Sequence, residues 1–314
     1  MNSPTRQSLF SSLRRAIKPF GAVTAATVAL SLSFSNTVAW AGDPFRNSNP
    51  HAIGDRTEAA FESLFKDGNY TLAKQQLIAA EATEASDPLV HAMLASFAFL
   101  EGDLDALNQR AQLTQAKAEA LMATDPLRGH LYTAVGIFLE GAYLVETQGV
   151  ARATPAALMM LQQVFSHMDQ AERLSSSDPE LNLLKGYMDL MLAVNLPFAD
   201  PEDAIERLEA YGSPSYLSYR GIALAYRDLD QLDQAMTAVD KALTAAPNNP
   251  ELLYLKAQLY VRKGMNGESL KLFDQALAYQ TQLPSVISRQ ITRERCLASG
   301  LPGSECSAQA TQRN

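Results

Sequence analysis

The chain has 314 residues, with 26 Lys and Arg against 34 Asp and Glu, two cysteines and four histidines. A net charge of −8 without a basic cluster argues against nucleic acid as a partner, because neutralising phosphates takes Lys and Arg. The length allows one elongated domain or two compact ones.

The first 41 residues read as a leader. Arg6, Arg14, Arg15 and Lys18 form a basic lead without acids, "FGAVTAATVALSLSFSNTVAWA" follows, and Ala39-Trp40-Ala41 is a small-x-small signal that predicts cleavage after Ala41. An uncleaved anchor is the alternative, although Ser, Thr and Asn dilute the apolar run. Arg14-Arg15 fits the twin-arginine pattern only loosely, and no Cys stands at the cleavage point to carry a lipid. Removing the leader takes the net charge from −8 to −12. No later stretch is apolar enough to span a membrane. The expected product is therefore a soluble exported protein, in the periplasm or another extracytoplasmic compartment. Residues 42–53, "GDPFRNSNPHAI", read as a linker.

From residue 54 onward the chain repeats itself. "SDPLVHAMLASFAFLEGDL" (86–104) is echoed by "TDPLRGHLYTAVGIFLEGAY" (124–143), and Phe65, Gly68 and Tyr70 recur 34 residues later as Phe99, Gly102 and Leu104. Asp-Pro closes one helix and opens the next, and a glycine three turns later supplies a left-handed cap. These marks bound units at 54–87 and 88–126. The stretch 127–213 is irregular: Gly141 falls inside a lengthened helix, and a long helix is predicted to start at the cap-and-proline pair Thr154-Pro155. Regularity returns at 216–249 and 250–284. There Ala223, Tyr226, Ala235, Val239 and Ala242 recur as Ala257, Tyr260, Ser269, Phe273 and Ala276. Six helix pairs are expected between 54 and 284. A closing helix, "PSVISRQITRERCLAS", ends the repeat array at 299, a tail covers 300–314, and 307–314 reads as a disordered end. Cys296 and Cys306 frame the start of that tail. An oxidising compartment would join them in a disulfide, with two free thiols the alternative.

The two regular units resemble the tetratricopeptide repeat. Large residues Tyr219, Ile222, Tyr226, Leu232 and Val239, small residues Ala223, Ala235 and Ala242, and Pro247 occupy that family's positions, while Lys256 and Thr281 depart from it in the second unit. The resemblance implies an all-α right-handed solenoid of stacked antiparallel helix pairs, with the first helix of each pair lining a concave groove. Leu217, Arg220, Leu224, Arg227 and Asp228, then Glu251, Tyr254, Gln258, Val261 and Arg262, fall on that inner wall. Arg220, Arg227, Tyr254, Gln258 and Arg262 are the candidate binding residues, since Arg and Tyr combine contact area with directional hydrogen bonds. Leu224 and Leu255 stand where the carboxylate-clamp version of the family needs Asn, so capture of a chaperone tail is not implied. Leader, irregular centre and two-cysteine tail together are similar to exported repeat proteins of cyanobacteria.

Catalytic signals are sparse. His51, His91, His130 and His167 lack the spacing of a zinc helix, and no phosphate loop or nucleophile elbow is present. His130 reads as a packed structural residue, and Met159, Met160, Met188 and Met191 as packing between helices. The reading is a non-enzymatic scaffold without cofactor or metal, binding a partner protein or peptide in its groove. The alternative is a binder or processor of an envelope small molecule or polymer through the region 127–213.

Overall fold

A computed structural model describes residues 42–46, 48–195 and 201–312, so the leader lies outside the described residues. Within them every regular element is helical, and no helix is long and apolar enough to cross a membrane. Six helix pairs follow one another. The first joins α1 (Asp55–Phe61), continued by a π-helical turn over Glu62–Lys66, to α2 (Tyr70–Thr83). Next come α3 (Pro88–Glu101) with α4 (Leu104–Leu121), and α5 (Pro126–Gln148) with α6 (Val150–Leu174). The last three are α7 (Pro179–Asn195) with α8 (Pro201–Ala210), α9 (Ser215–Asp228) with α10 (Leu232–Ala245), and α11 (Pro250–Arg262) with α12 (Asn266–Leu277). The array closes with α13 (Ser285–Ala298) and α14 (Gly303–Gln312).

Small side chains let paired helices touch. Ala223, Ala235 and Ala242, and their counterparts Ala257, Ser269 and Ala276, have no exposed surface. Val239 and Phe273 fill the space between the pairs and are equally buried. Lys256, out of place by the family pattern, keeps its ammonium at the surface, 2.6 Å from Asp240 Oδ1.

The repeated Phe-Leu-Glu-Gly marks end differently. Gly102 closes α3 with φ 72°, and the amides of Gly102 and Asp103 donate to the carbonyls of Phe99 and Ala98. Gly141 instead lies within α5, which runs on to Gln148. The partner helix α6 begins at Val150, five residues before Pro155, and not at Thr154 as the sequence suggests. Thr154 Oγ1 donates to the Val150 carbonyl within that helix. Pro155 costs the first turns a single amide, which α6 tolerates so near its start.

Two terminal segments are more ordered than the sequence implies. Residues 42–46 and 48–53 are not a free linker: Asp43, Phe45 and Ile53 are buried, and these residues lie as a strap against α1, α5 and α7. The tail forms α14, held to α13 by the Cys296–Cys306 disulfide, with both cysteines buried. Residues 307–312 are thus helical and not a disordered end.

The first repeat also touches the last. Asn249 caps α11 by accepting from the Glu251 and Leu252 amides, while its Nδ2 donates to the carbonyls of Phe65 (2.9 Å) and Lys66 (3.1 Å). Gly68 packs so closely on Pro250 that a Cβ there would lie 2.7 Å from its ring, and φ of +62° disfavours any other residue. Tyr70 donates to Glu251, and Thr71 Oγ1 to the Thr281 carbonyl at 3.3 Å. Asn249→Ala removes a cap and strands two carbonyls, an expected loss of about 2–3 kcal/mol. Asn69→Ala, which removes only the cap of α2, should cost about 1 kcal/mol. Equilibrium urea unfolding at pH 7 compares them. Equal costs would mean that the Asn249 contacts to the first repeat contribute nothing.

Candidate functional site

The first helix of each pair, with α13 after them, supplies the inner wall, and three of the five expected binding residues meet there. Arg227 ends α9, while Gln258 and Arg262 lie on α11 one turn apart. Together with Val261, Asn266, Glu294, Leu297 and Ala298 they line an open recess of about 410 Å³. A chain of hydrogen bonds fixes their heads. Arg227 Nε donates to Asp228 Oδ1 (2.8 Å) and its Nη1 to Gln258 Oε1 (3.3 Å). Gln258 Nε2 donates to Glu294 Oε2 (2.9 Å), whose other oxygen accepts from Gln290 Nε2 (2.6 Å). Arg262 donates to the Arg227 carbonyl and, at 3.3 Å, to Asp230 Oδ1. These bonds within the chain fix the rotamers of Arg227, Gln258 and Arg262.

Arg220 and Tyr254 go elsewhere. Arg220 pairs with Glu251, the same carboxylate that accepts from Tyr70, so it belongs to the junction of first and last repeats. Burial works against its charge more than any single neighbour favours it, but Glu251, Tyr187 and Tyr70 together outweigh burial and raise its pKa further. Tyr254 sits beside the Phe273 ring, and burial followed by its hydrogen bond to Glu294 holds its phenol protonated well above the usual range. It buttresses Glu294 and does not line the recess.

Glu294 and Leu297, on the closing helix, escaped the sequence reading because α13 was expected only to cover the end of the array. The signal was Pro284, which precedes α13 as Pro214 precedes α9. That proline marks another inner helix with a face turned to the recess.

A buried ion network also lay hidden, joining Asp43 and Arg46 of the residues read as linker to the starts of α3, α5 and α7. Arg46 on the strap reaches Asp43 (2.7 Å), Asp178 (2.5 Å) and Glu180 (3.2 Å). Arg128 reaches Asp87 (3.1 Å) and lies 3.3 Å from Glu180, whose Oε1 accepts from Tyr132 at 2.6 Å. Desolvation opposes both guanidinium charges, and Glu180 heads the carboxylates that overcome it. Four carboxylates face two guanidiniums, but Asp87 and Asp178 sit at helix N-termini, whose partial positive charge offsets the surplus.

The methionines divide. Met160 and Met188 pack against the core, while Met159 and Met191 are exposed. His130 is half-buried, with Nδ1 3.1 Å from Nδ1 of His167.

Residues 226–286 match the family model of the tetratricopeptide repeat. The fold is an all-α solenoid of helix pairs, and the match to the tetratricopeptide repeat model lies toward its C-terminal end. No curated protein matches the chain. PilW, a widely conserved type IV pilus biogenesis factor, is similar in structure at 14% identity over 72% of this chain and 91% of that one, with a TM-score of 0.46. TTC0263, a thermophilic repeat protein of Thermus thermophilus, is similar at 17% identity over 79% and 98%, with a TM-score of 0.31. The TPR2AB domain of yeast Sti1, in complex with pHSP90, is similar at 15% identity over 82% and 98%, with a TM-score of 0.28. At such identities and scores these likenesses say nothing of partner or role.

Burial pulls His91, His130 and His167 below the ordinary imidazole value. The unfolded chain therefore takes up these protons first. The histidines' contribution to stability is whole above about pH 6.5 and falls as the pH drops from there toward the lowered folded values. Melting temperature should decline between pH 7 and 5.5, and less steeply in His130→Gln/His167→Gln. An identical slope in the variant would remove the pair from the account.

Proposed function

We propose that the chain is an exported, non-catalytic adaptor that holds a partner protein or extended peptide on the C-terminal part of its inner wall. The supporting observation is the convergence of Arg227, Gln258 and Arg262 on one open recess, beside the apolar surface of Val261 and Leu297. An extended peptide brings backbone carbonyls and amides that need partners. The guanidiniums have donors to spare, and Asn266 and Glu294 add acceptors at the same rim. Arg227 and Arg262 are opposed by Asp228, Asp230 and Glu294, so the recess suits a peptide without strong net charge, and neither a nucleic acid nor a polyanion.

Export is supported by the leader's composition and by the disulfide in the tail, since such bonds persist in oxidising compartments. Processing after Ala41 would release a chain whose packing begins at once, with Asp43 and Phe45 already buried.

The test is a quantitative pull-down from envelope extract. Arg227→Ala/Arg262→Ala should lower recovery of a specific partner at least tenfold, as anchor residues do when truncated. Lys271→Ala, exposed on α12 away from the recess, should leave it unchanged. Equal recovery by all three proteins would overturn the groove assignment.

A further inference from the structure

A second cavity lies deeper on the inner side of the array, apart from the recess. It measures about 390 Å³, is open on one side, and is lined by α1 with its π-helical turn, α3, α5, α7 and α9, with Phe45 of the strap as one wall. Natural interiors hold few voids larger than a water molecule, whereas ligand pockets start near 300 Å³. The walls are mostly apolar: Phe61, Met93, Leu183 and Leu217 are typical, and all four are buried.

The polar side chains in the lining are already engaged. Tyr132 donates to Glu180 (2.6 Å), Tyr187 to the Leu217 carbonyl (2.7 Å), Ser96 to the Ala92 carbonyl (3.2 Å), and Arg220 is paired with Glu251. The Tyr187 phenol is pushed up to about 12 by burial, as a dry wall requires. A polar guest would forfeit its hydrogen bonds to water and find few replacements, the spare donors of Arg220 chief among them. An extended peptide fails for the same reason, because its amides and carbonyls would enter unpaired. A helix satisfies its own backbone, but at a diameter of about 10–12 Å one turn alone would fill the space. A hydrocarbon chain meets every condition. An apolar cavity of about 150 Å³ stays dry and takes benzene, so this volume suits a chain on the order of a dozen carbons.

We propose that this vault is a binding site for a single linear hydrocarbon chain, with any polar head left at the mouth beside Ser96, which is exposed. The site is distinct from the peptide recess and does not depend on it. The strap and the contacts between first and last repeats fix the elements that line it, and the cavity is present without a ligand.

The test uses the folded chain with N-phenyl-1-naphthylamine as fluorescent probe and dodecan-1-ol as competitor. Saturable one-to-one uptake is expected, with displacement by dodecan-1-ol at concentrations at least tenfold lower than by hexan-1-ol, since each buried methylene adds to affinity. Ser96→Trp blocks the mouth and Val135→Phe fills a half-buried wall; either should weaken uptake tenfold or more, while Lys271→Ala does not. Circular dichroism confirms that both variants remain folded. Dodecanoate and a lysophospholipid, run as further competitors, separate a free fatty chain from a membrane lipid as the source, and displacement by either supports the site. No saturable uptake by the wild type, full uptake by both folded variants, or displacement by an amphipathic peptide but not by dodecan-1-ol would overturn it.

Discussion

A helix-capping side chain has more bonding capacity than one cap uses, and this fold is organised around the remainder. Four inner helices begin at Asp87-Pro88, Asp125-Pro126, Asp178-Pro179 and Asn249-Pro250. In each, the Asx side chain accepts from a first-turn amide and also grips a distant segment. Asp87 holds Arg128 of the next pair, and Asp125 holds His51 of the strap. Asp178 holds Arg46 of the strap, while Asn249 holds the Phe65 and Lys66 carbonyls of the first pair. Proline suits the residue after the cap because its missing amide has no intrahelical partner there. Local punctuation and long-range assembly are therefore carried by the same side chains.

This arrangement decides what the inner wall can do. Ties through Asn249 and Glu251 bring the first repeat against the last, which commits Arg220 to structure and leaves Arg227, Gln258 and Arg262 facing an open recess. Ties through Asp125 and Asp178 lay the strap along α5 and α7, which puts Phe45 on the wall of the apolar vault. Removing one partner from so buried a set of charges is costly, because the remaining charge keeps its desolvation penalty without its counterion.

The all-helical repeat class was legible in the sequence because it rests on local pattern: 34-residue spacing, small residues at helix contacts and prolines at the boundaries. Where the outcome depended on neighbours, the pattern misled or fell silent. Phe-Leu-Glu-Gly ends a helix at Gly102 and, as expected, not at Gly141, but the cap-and-proline pair Thr154-Pro155 misled, because α6 already starts at Val150. The strap has too few apolar residues to look like an element, and its fixation comes from carboxylates more than 70 residues away. Arg220, Arg227 and Arg262 occupy comparable inner-wall positions, yet Glu251 and Tyr70, visible only in three dimensions, separate the first from the other two.

The capping principle is tested most directly by a double-mutant cycle on the strap. Asp178→Asn keeps an oxygen to cap α7 while losing the charge that holds Arg46, and Arg46→Met removes the cation while keeping an apolar stem. Unfolding free energies of the wild type, the two single variants and the double variant isolate the coupling. The account predicts a favourable coupling of about 2 kcal/mol or more, with the double variant little worse than either single one. Additive costs, with no measurable coupling, would contradict it.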